Sequence, residues 1–174
     1  DLSVYLQVTR GVSAKRDHRI PHDIEPTLFA MASPMGSPDP RLAEAGIAAI
    51  TLDDLRWKLC NIKAITLLGN VLLKQTAADR DCLEAILIRD GLALEGAASN
   101  LFVIEDGVIV TPPKSCFLLP GITRDLVLEM ATEQKLPFRE EEIAADRLRS
   151  ADEIWLTSST KEIMPVTRLD DRPV

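Results

Sequence analysis

The stretch from Leu101 to Thr111 limits the possible folds more than any other. Two short β-prone runs, Leu101 to Ile104 and Val108 to Thr111, flank Glu105-Asp106-Gly107, which is a hairpin signal. Beyond it the period changes. From Thr123 to Gln134 the apolar residues Leu126, Val127, Met130 and Ala131 recur at helical spacing. The rest of the chain repeats this mixture. Leu2 to Thr9 alternates as a strand, and Thr27 to Ser33, Gly46 to Leu52, Glu84 to Ile88, Pro137 to Arg139 and Ile154 to Leu156 are shorter β-prone runs. Ile65, Leu68, Leu72 and Leu73 predict a helix between Lys63 and Asp79, approached through a strand-like Lys58 to Ile62. Arg41 to Ala45 and Glu142 to Arg149 predict two more helices. Interleaved strands and helices with hairpins between them define a mixed α/β class.

Pro34 to Pro40 is the most linker-like stretch, which sets expected domains of 1–38 and 39–174. With 174 residues, 46% of them hydrophobic, the larger part can bury a core. The chain begins at Asp1 on a strand-like run and ends on an Asp170-Asp171 turn, so both ends read as cut points in a longer protein. A net charge of -7 argues against a nucleic-acid partner and against an anionic membrane surface. The longest apolar run, Ile65 to Leu73, is too short and too interrupted to span a bilayer. Cys60, Cys82 and Cys116 are an odd set without close pairing or zinc-ribbon spacing. They read as free thiols of a cytoplasmic protein, with no metal site.

Four segments carry chemistry: Cys60-Asn61-Ile62-Lys63, Leu94-Glu95-Gly96-Ala97-Ala98-Ser99-Asn100, Leu119-Pro120-Gly121-Ile122-Thr123-Arg124, and Thr157-Ser158-Ser159-Thr160. Each has an ordinary reading by itself: a solvated lysine, a loop carboxylate, a helix N-cap at Thr123, a polar turn. Together, in this order and spacing, they resemble the signature of the fold-type IV pyridoxal-phosphate (PLP) aminotransferases. The run Tyr5 to Gly11, followed by Arg16-Asp17-His18, resembles the D-amino-acid branch of that family.

The resemblance implies a barrel-like large PLP-binding domain with a mixed sheet, preceded by the remnant of a small α/β domain. It implies Lys63 as the lysine that holds PLP as a Schiff base and moves the substrate α-proton, because a neutral amine is both nucleophile and base. Lys58 and Lys74 compete with it, and Lys74 is assigned to the surface. Glu95 would keep the pyridine nitrogen protonated, so that the ring draws electrons from the α-carbon. Leu119 would pack on the ring. Ile122 and Thr123, at a helix start, would hold the phosphate together with Ser158 and Ser159. Asn100 would hold its turn. Arg16 and His18 would bind the substrate α-carboxylate, for which a planar guanidinium is suited. The implied reaction is transamination between a D-amino acid such as D-alanine and a 2-keto acid such as 2-oxoglutarate, by a homodimer. Alternatives within the fold are a branched-chain L-amino-acid aminotransferase or a 4-amino-4-deoxychorismate lyase. The alternative of another class is an inactive PLP-fold fragment that only binds. The family often has hydroxyls where Ala97 and Ala98 stand.

Overall fold

A computed structural model describes residues 2–36 and 40–174. The chain divides into two compact units, Asp1–Ser37 and Pro38–Val174. The expected boundary between residues 38 and 39 lies outside the described residues.

The first unit is a hairpin. Strands β1 (Leu2–Thr9) and β2 (Thr27–Pro34) pair antiparallel from Leu2↔Pro34 to Thr9↔Thr27, and Tyr5 meets Phe29 edge to face. Alternating β-prone residues make this pairing without a break. The chain leaves β1 through Gly11 at φ +103, where a Cβ would lie 2.0 Å from the Glu25 carbonyl oxygen, so only glycine fits.

The second unit runs α1 (Pro40–Ala45), β3 (Ile47–Asp53), α2 (Leu68–Ala78), β4 (Glu84–Arg89), β5 (Leu92–Gly96), β6 (Asn100–Glu105), β7 (Val108–Thr111), α3 (Ile122–Glu133), β8 (Phe138–Glu140), β9 (Ile143–Ala144), a 3-10 turn at Ala145–Arg149, β10 (Glu153–Ser158), β11 (Glu162–Leu169) and β12 (Arg172–Pro173). The strands form one mixed sheet in the order β8-β7-β6-β10-β11-β3-β4-β5-β9, with β12 on β11. An additional β5–β6 pairing closes the strands between them into a barrel. Ile47, Ile86, Leu101, Val103, Leu156 and Val166 fill it. Successive strand residues face opposite sides. The outward Phe102 and Ile104 therefore meet Val127, Leu128 and Ala131 of α3, and Ile50, Ala85 and Leu87 meet Leu73 and Ala77 of α2.

Several expectations change here. Lys58 to Ile62 forms bends and turns rather than a strand, and α2 begins only at Leu68. Its buried side chains are Leu73 and Ala77, four residues apart and facing the sheet, while Ile65, Leu68 and Leu72 are exposed. On α3 the buried face is Arg124, Val127, Leu128 and Ala131, and Leu126 and Met130 stand half outside. The helix expected at Glu142 to Arg149 is strand β9 followed by the 3-10 turn. Pairing of Ile143 and Ala144 with Ala93 and Leu92, at the edge of β5, takes residues that local propensity offered to a helix. Strand β11 is not legible in the sequence, because Pro165 lies within it, yet it pairs with β10 and β3. No helix among the described residues is long and apolar enough to cross a membrane.

Candidate active site

The barrel closes on one residue pair, Glu95↔Asn100. Between them the chain turns through Gly96-Ala97-Ala98-Ser99, and the Gly96 amide donates to the Ser99 carbonyl at 2.7 Å. A Cβ on Gly96 would fall 2.0 Å from Ser99 Oγ, so the small residue read in the sequence is required by this closure. Beside the seam opens a cavity of about 580 Å³, within the range of small-molecule sites. Its wall includes Lys63, Glu95, Leu119, Thr123, Ser158 and Ser159, which lie far apart in sequence. The Ile122 side chain is 83% exposed and is not part of that wall; what Ile122 contributes is the first backbone amide of α3. Arg16 and His18 lie exposed in the loop between β1 and β2, in the other unit.

Glu95 sits on β5 rather than in a loop, and it is buried. Its carboxylate accepts from Arg56 Nη1 at 2.5 Å, from Asn100 Nδ2 at 3.2 Å and from the Leu119 amide at 3.1 Å. Burial pushes the carboxyl up to about 7 against the pull of Arg56. Arg56 gives most of its guanidinium elsewhere. Its Nε and Nη2 grip Asp54 at 2.9 and 3.0 Å, and Arg89 approaches the same carboxylate at 2.9 Å. Burial works to raise Asp54 too, but the bonds from Arg56 outweigh it and hold that carboxyl below its ordinary value.

Under the Gly96–Ser99 turn lies a second buried carboxylate, Glu84. It takes Lys74 Nζ at 3.0 Å and Ser99 Oγ at 3.3 Å. Lys74 is therefore not the surface lysine expected from its polar neighbours. It lines the cavity and is tied to Glu84 and to the Leu83 carbonyl. Lys63 lies just before α2 with its side chain exposed at the cavity, and Lys58 is exposed and not part of the wall.

The N-cap of α3 is Gly121, with extended backbone and no side-chain cap. Thr123 stands inside the helix, so ordinary N-capping by Thr123 does not describe it. The helix start offers uncapped amides and a positive dipole end, which suit a phosphate. Thr157, opposite Asn100 across β10 and β6, lines the same cavity, and its buried Oγ1 has no partner among the described residues. A paired carboxylate, an uncapped helix start, an unpartnered hydroxyl and a lysine around one cavity fit PLP. Sequence reasoning misses Arg56, because Asp54-x-Arg56 resembles any solvated ion pair. It sees Thr157 only as part of a motif. Asn70, whose Nδ2 donates to the Ala97 carbonyl at 2.8 Å, reads in the sequence only as an interruption of an apolar run.

Residues 1–169 match the family described as Amino-transferase class IV, and the chain belongs to that family. It is 42% identical over 174 residues to the D-alanine aminotransferase of Bacillus licheniformis, covering all of this chain and 61% of that protein. Among solved structures it is similar to a fold IV-transaminase from Curtobacterium pusillum, with a TM-score of 0.83, 32% identity, and coverage of 99% of this chain and 58% of the other. It is also similar to 4-amino-4-deoxychorismate lyase from Pseudomonas aeruginosa, with a TM-score of 0.86, 26% identity, and coverage of 98% and 64%. The fold is that of the fold-type IV enzymes. The chain spans about 60% of the length of the curated relatives it matches.

Proposed function

We propose that the protein to which this chain belongs is a PLP-dependent aminotransferase that exchanges an amino group between a D-amino acid such as D-alanine and a 2-keto acid such as 2-oxoglutarate. The observation that carries this reading is the convergence of Lys63, Glu95 and the uncapped start of α3 on one cavity. The name of the Bacillus licheniformis relative supports the D-amino-acid branch.

Bound there, PLP supplies a carbonyl that exchanges amino groups and a ring that takes up electrons from the substrate α-carbon. Lys63 Nζ would hold the cofactor covalently, and its free amine would take the substrate α-proton and return it. Glu95 holds a proton on the ring nitrogen. A carboxylate whose proton affinity has been lifted by burial is a stronger partner for that N–H than an exposed one, and the Arg56 guanidinium at 2.5 Å keeps it in line. The amides of Ile122 and Thr123, the Thr123 hydroxyl and Ser158 and Ser159 hold the phosphate. Leu119 covers the ring. Arg16 and His18 would bind the substrate α-carboxylate. Exposed Leu59, Ile65, Leu68, Val71 and Leu72 support assembly as a homodimer.

The full-length enzyme is assayed with D-alanine and with L-leucine, each with 2-oxoglutarate. Turnover of D-alanine is expected, and Arg16→Ala raises KM for it while PLP affinity barely changes. Turnover of L-leucine alone contradicts the D-specific reading.

A further inference from the structure

The Asn100 side chain is buried and makes three hydrogen bonds. Nδ2 donates to Glu95 Oε2 at 3.2 Å and to the Leu119 carbonyl at 2.8 Å, while Oδ1 accepts from the Gly121 amide at 3.0 Å. The Leu119 amide returns a bond to the same Glu95 oxygen at 3.1 Å. One amide thus ties the carboxylate at the barrel seam to the segment that launches α3. Gly121 supplies an independent sign of this. Its φ of -76 and ψ of 148 are open to any residue, so its backbone does not ask for glycine. Space does: a Cβ there would lie 2.3 Å from Asn100 Oδ1. The glycine at the phosphate end is therefore demanded by the residue that orients the ring end.

From this we infer that Asn100 is a positioning residue that fixes Glu95 against the start of α3, and so fixes the spacing between the two ends of the cofactor. The inference rests on the reading that this cavity takes PLP. It makes the two ends of the site one mechanical unit, although Glu95 and Gly121 lie on different elements and do not bond directly.

The test is a double-mutant cycle on the full-length, cofactor-free protein, reading equilibrium affinity for PLP and for pyridoxal, which has the ring without the phosphate. Asn100→Ala and Gly121→Ala are each expected to weaken PLP about 10-fold, the scale of a lost hydrogen bond to a charged group. Pyridoxal, which needs only one end in place, weakens by less than about 3-fold. In the Asn100→Ala background the added methyl at position 121 finds room, so Gly121→Ala costs less than about 2-fold more. Additive losses overturn the inference, as does an equal loss of PLP and pyridoxal, which marks general damage. Should Asn100→Ala fail to fold by thermal unfolding, Asn100→Ser completes the same cycle under the same criteria. If the parent itself does not bind PLP, the reading of the cavity falls along with the inference. If the parent binds PLP at Lys63 and the cycle is additive, only the role of Asn100 falls.

Discussion

Arg56 and Arg147, both in the second unit, each hold two carboxylates, and they do so under opposite conditions. Arg56 grips Asp54 and Glu95 at the barrel seam, where the three side chains are 5% exposed or less. Arg147 grips Glu105 and Glu141 at the surface, with side-chain exposures of 28%, 20% and 34%. The bonding is nearly the same. Arg147 gives Nε at 2.9 Å and Nη2 to the two oxygens of Glu105, and Nη2 to Glu141 at 2.8 Å. The outcome differs. The bonds from Arg147 hold Glu105 below its ordinary value, while burial lifts Glu95 to about 7 although a guanidinium touches it. Pairing decides for Glu105 at the surface and for Asp54 at the seam, and desolvation decides for Glu95 alone, because the fork of Arg56 is spent on Asp54 and one N–H remains for Glu95. The fold thereby holds a carboxyl with high proton affinity beside the cavity.

The comparison breaks most visibly on removal of the two arginines. Arg56→Met leaves buried Glu95 without its cation and leaves Asp54 with Arg89 alone, and is expected to destabilise the protein by about 3–5 kcal/mol in urea unfolding. A loss no larger than that of Arg147→Met would show that the seam is solvated.

Proton linkage gives the next effect. Glu95 has a folded value raised from 4.5 to about 7, so its contribution to stability is fully present below pH 4.5 and is lost as pH rises to 7. Glu105 and Asp54 have lowered folded values, so their contributions are present above the ordinary carboxylate range and are lost as pH falls through the lowered values. Urea unfolding of the cofactor-free protein at pH 5 and pH 7.5 is expected to show a Glu95-dependent decline of roughly 2–3 kcal/mol, absent in Glu95→Gln. An identical pH dependence in the two proteins places the titration elsewhere.

The smallest effect belongs to Arg147→Met. Partly exposed pairs are screened by water and salt, so the expected loss stays below about 1 kcal/mol and shrinks further at high salt.

The seam also shows what a sequence can and cannot display. Strands β1 and β7 were legible to the residue, because alternation and turn chemistry are local. Lys63, Glu95, Leu119, Thr123, Ser158 and Ser159 each stand in a short segment of recognisable order, and they line one cavity. Arg56 was not legible, since its meaning lies in a bond to a residue 39 positions away. The buried face of α2 was legible only at Leu73, because Ile65, Leu68 and Leu72 look equally like core and are exposed. Local pattern marks an apolar face and leaves open what covers it. Lys74 reversed for the same reason: its polar neighbours gave no hint of the buried Glu84 beneath it.

The central claim is that Lys63 holds PLP in the cavity beside Glu95. Treating the full-length protein with PLP and borohydride, followed by peptide mapping, tests it most directly. The label is expected on Lys63 alone, and Lys63→Ala is expected to lose both the label and all turnover. A label on Lys58, which is not part of the cavity wall, or on Lys74, which is paired with Glu84, would contradict that claim.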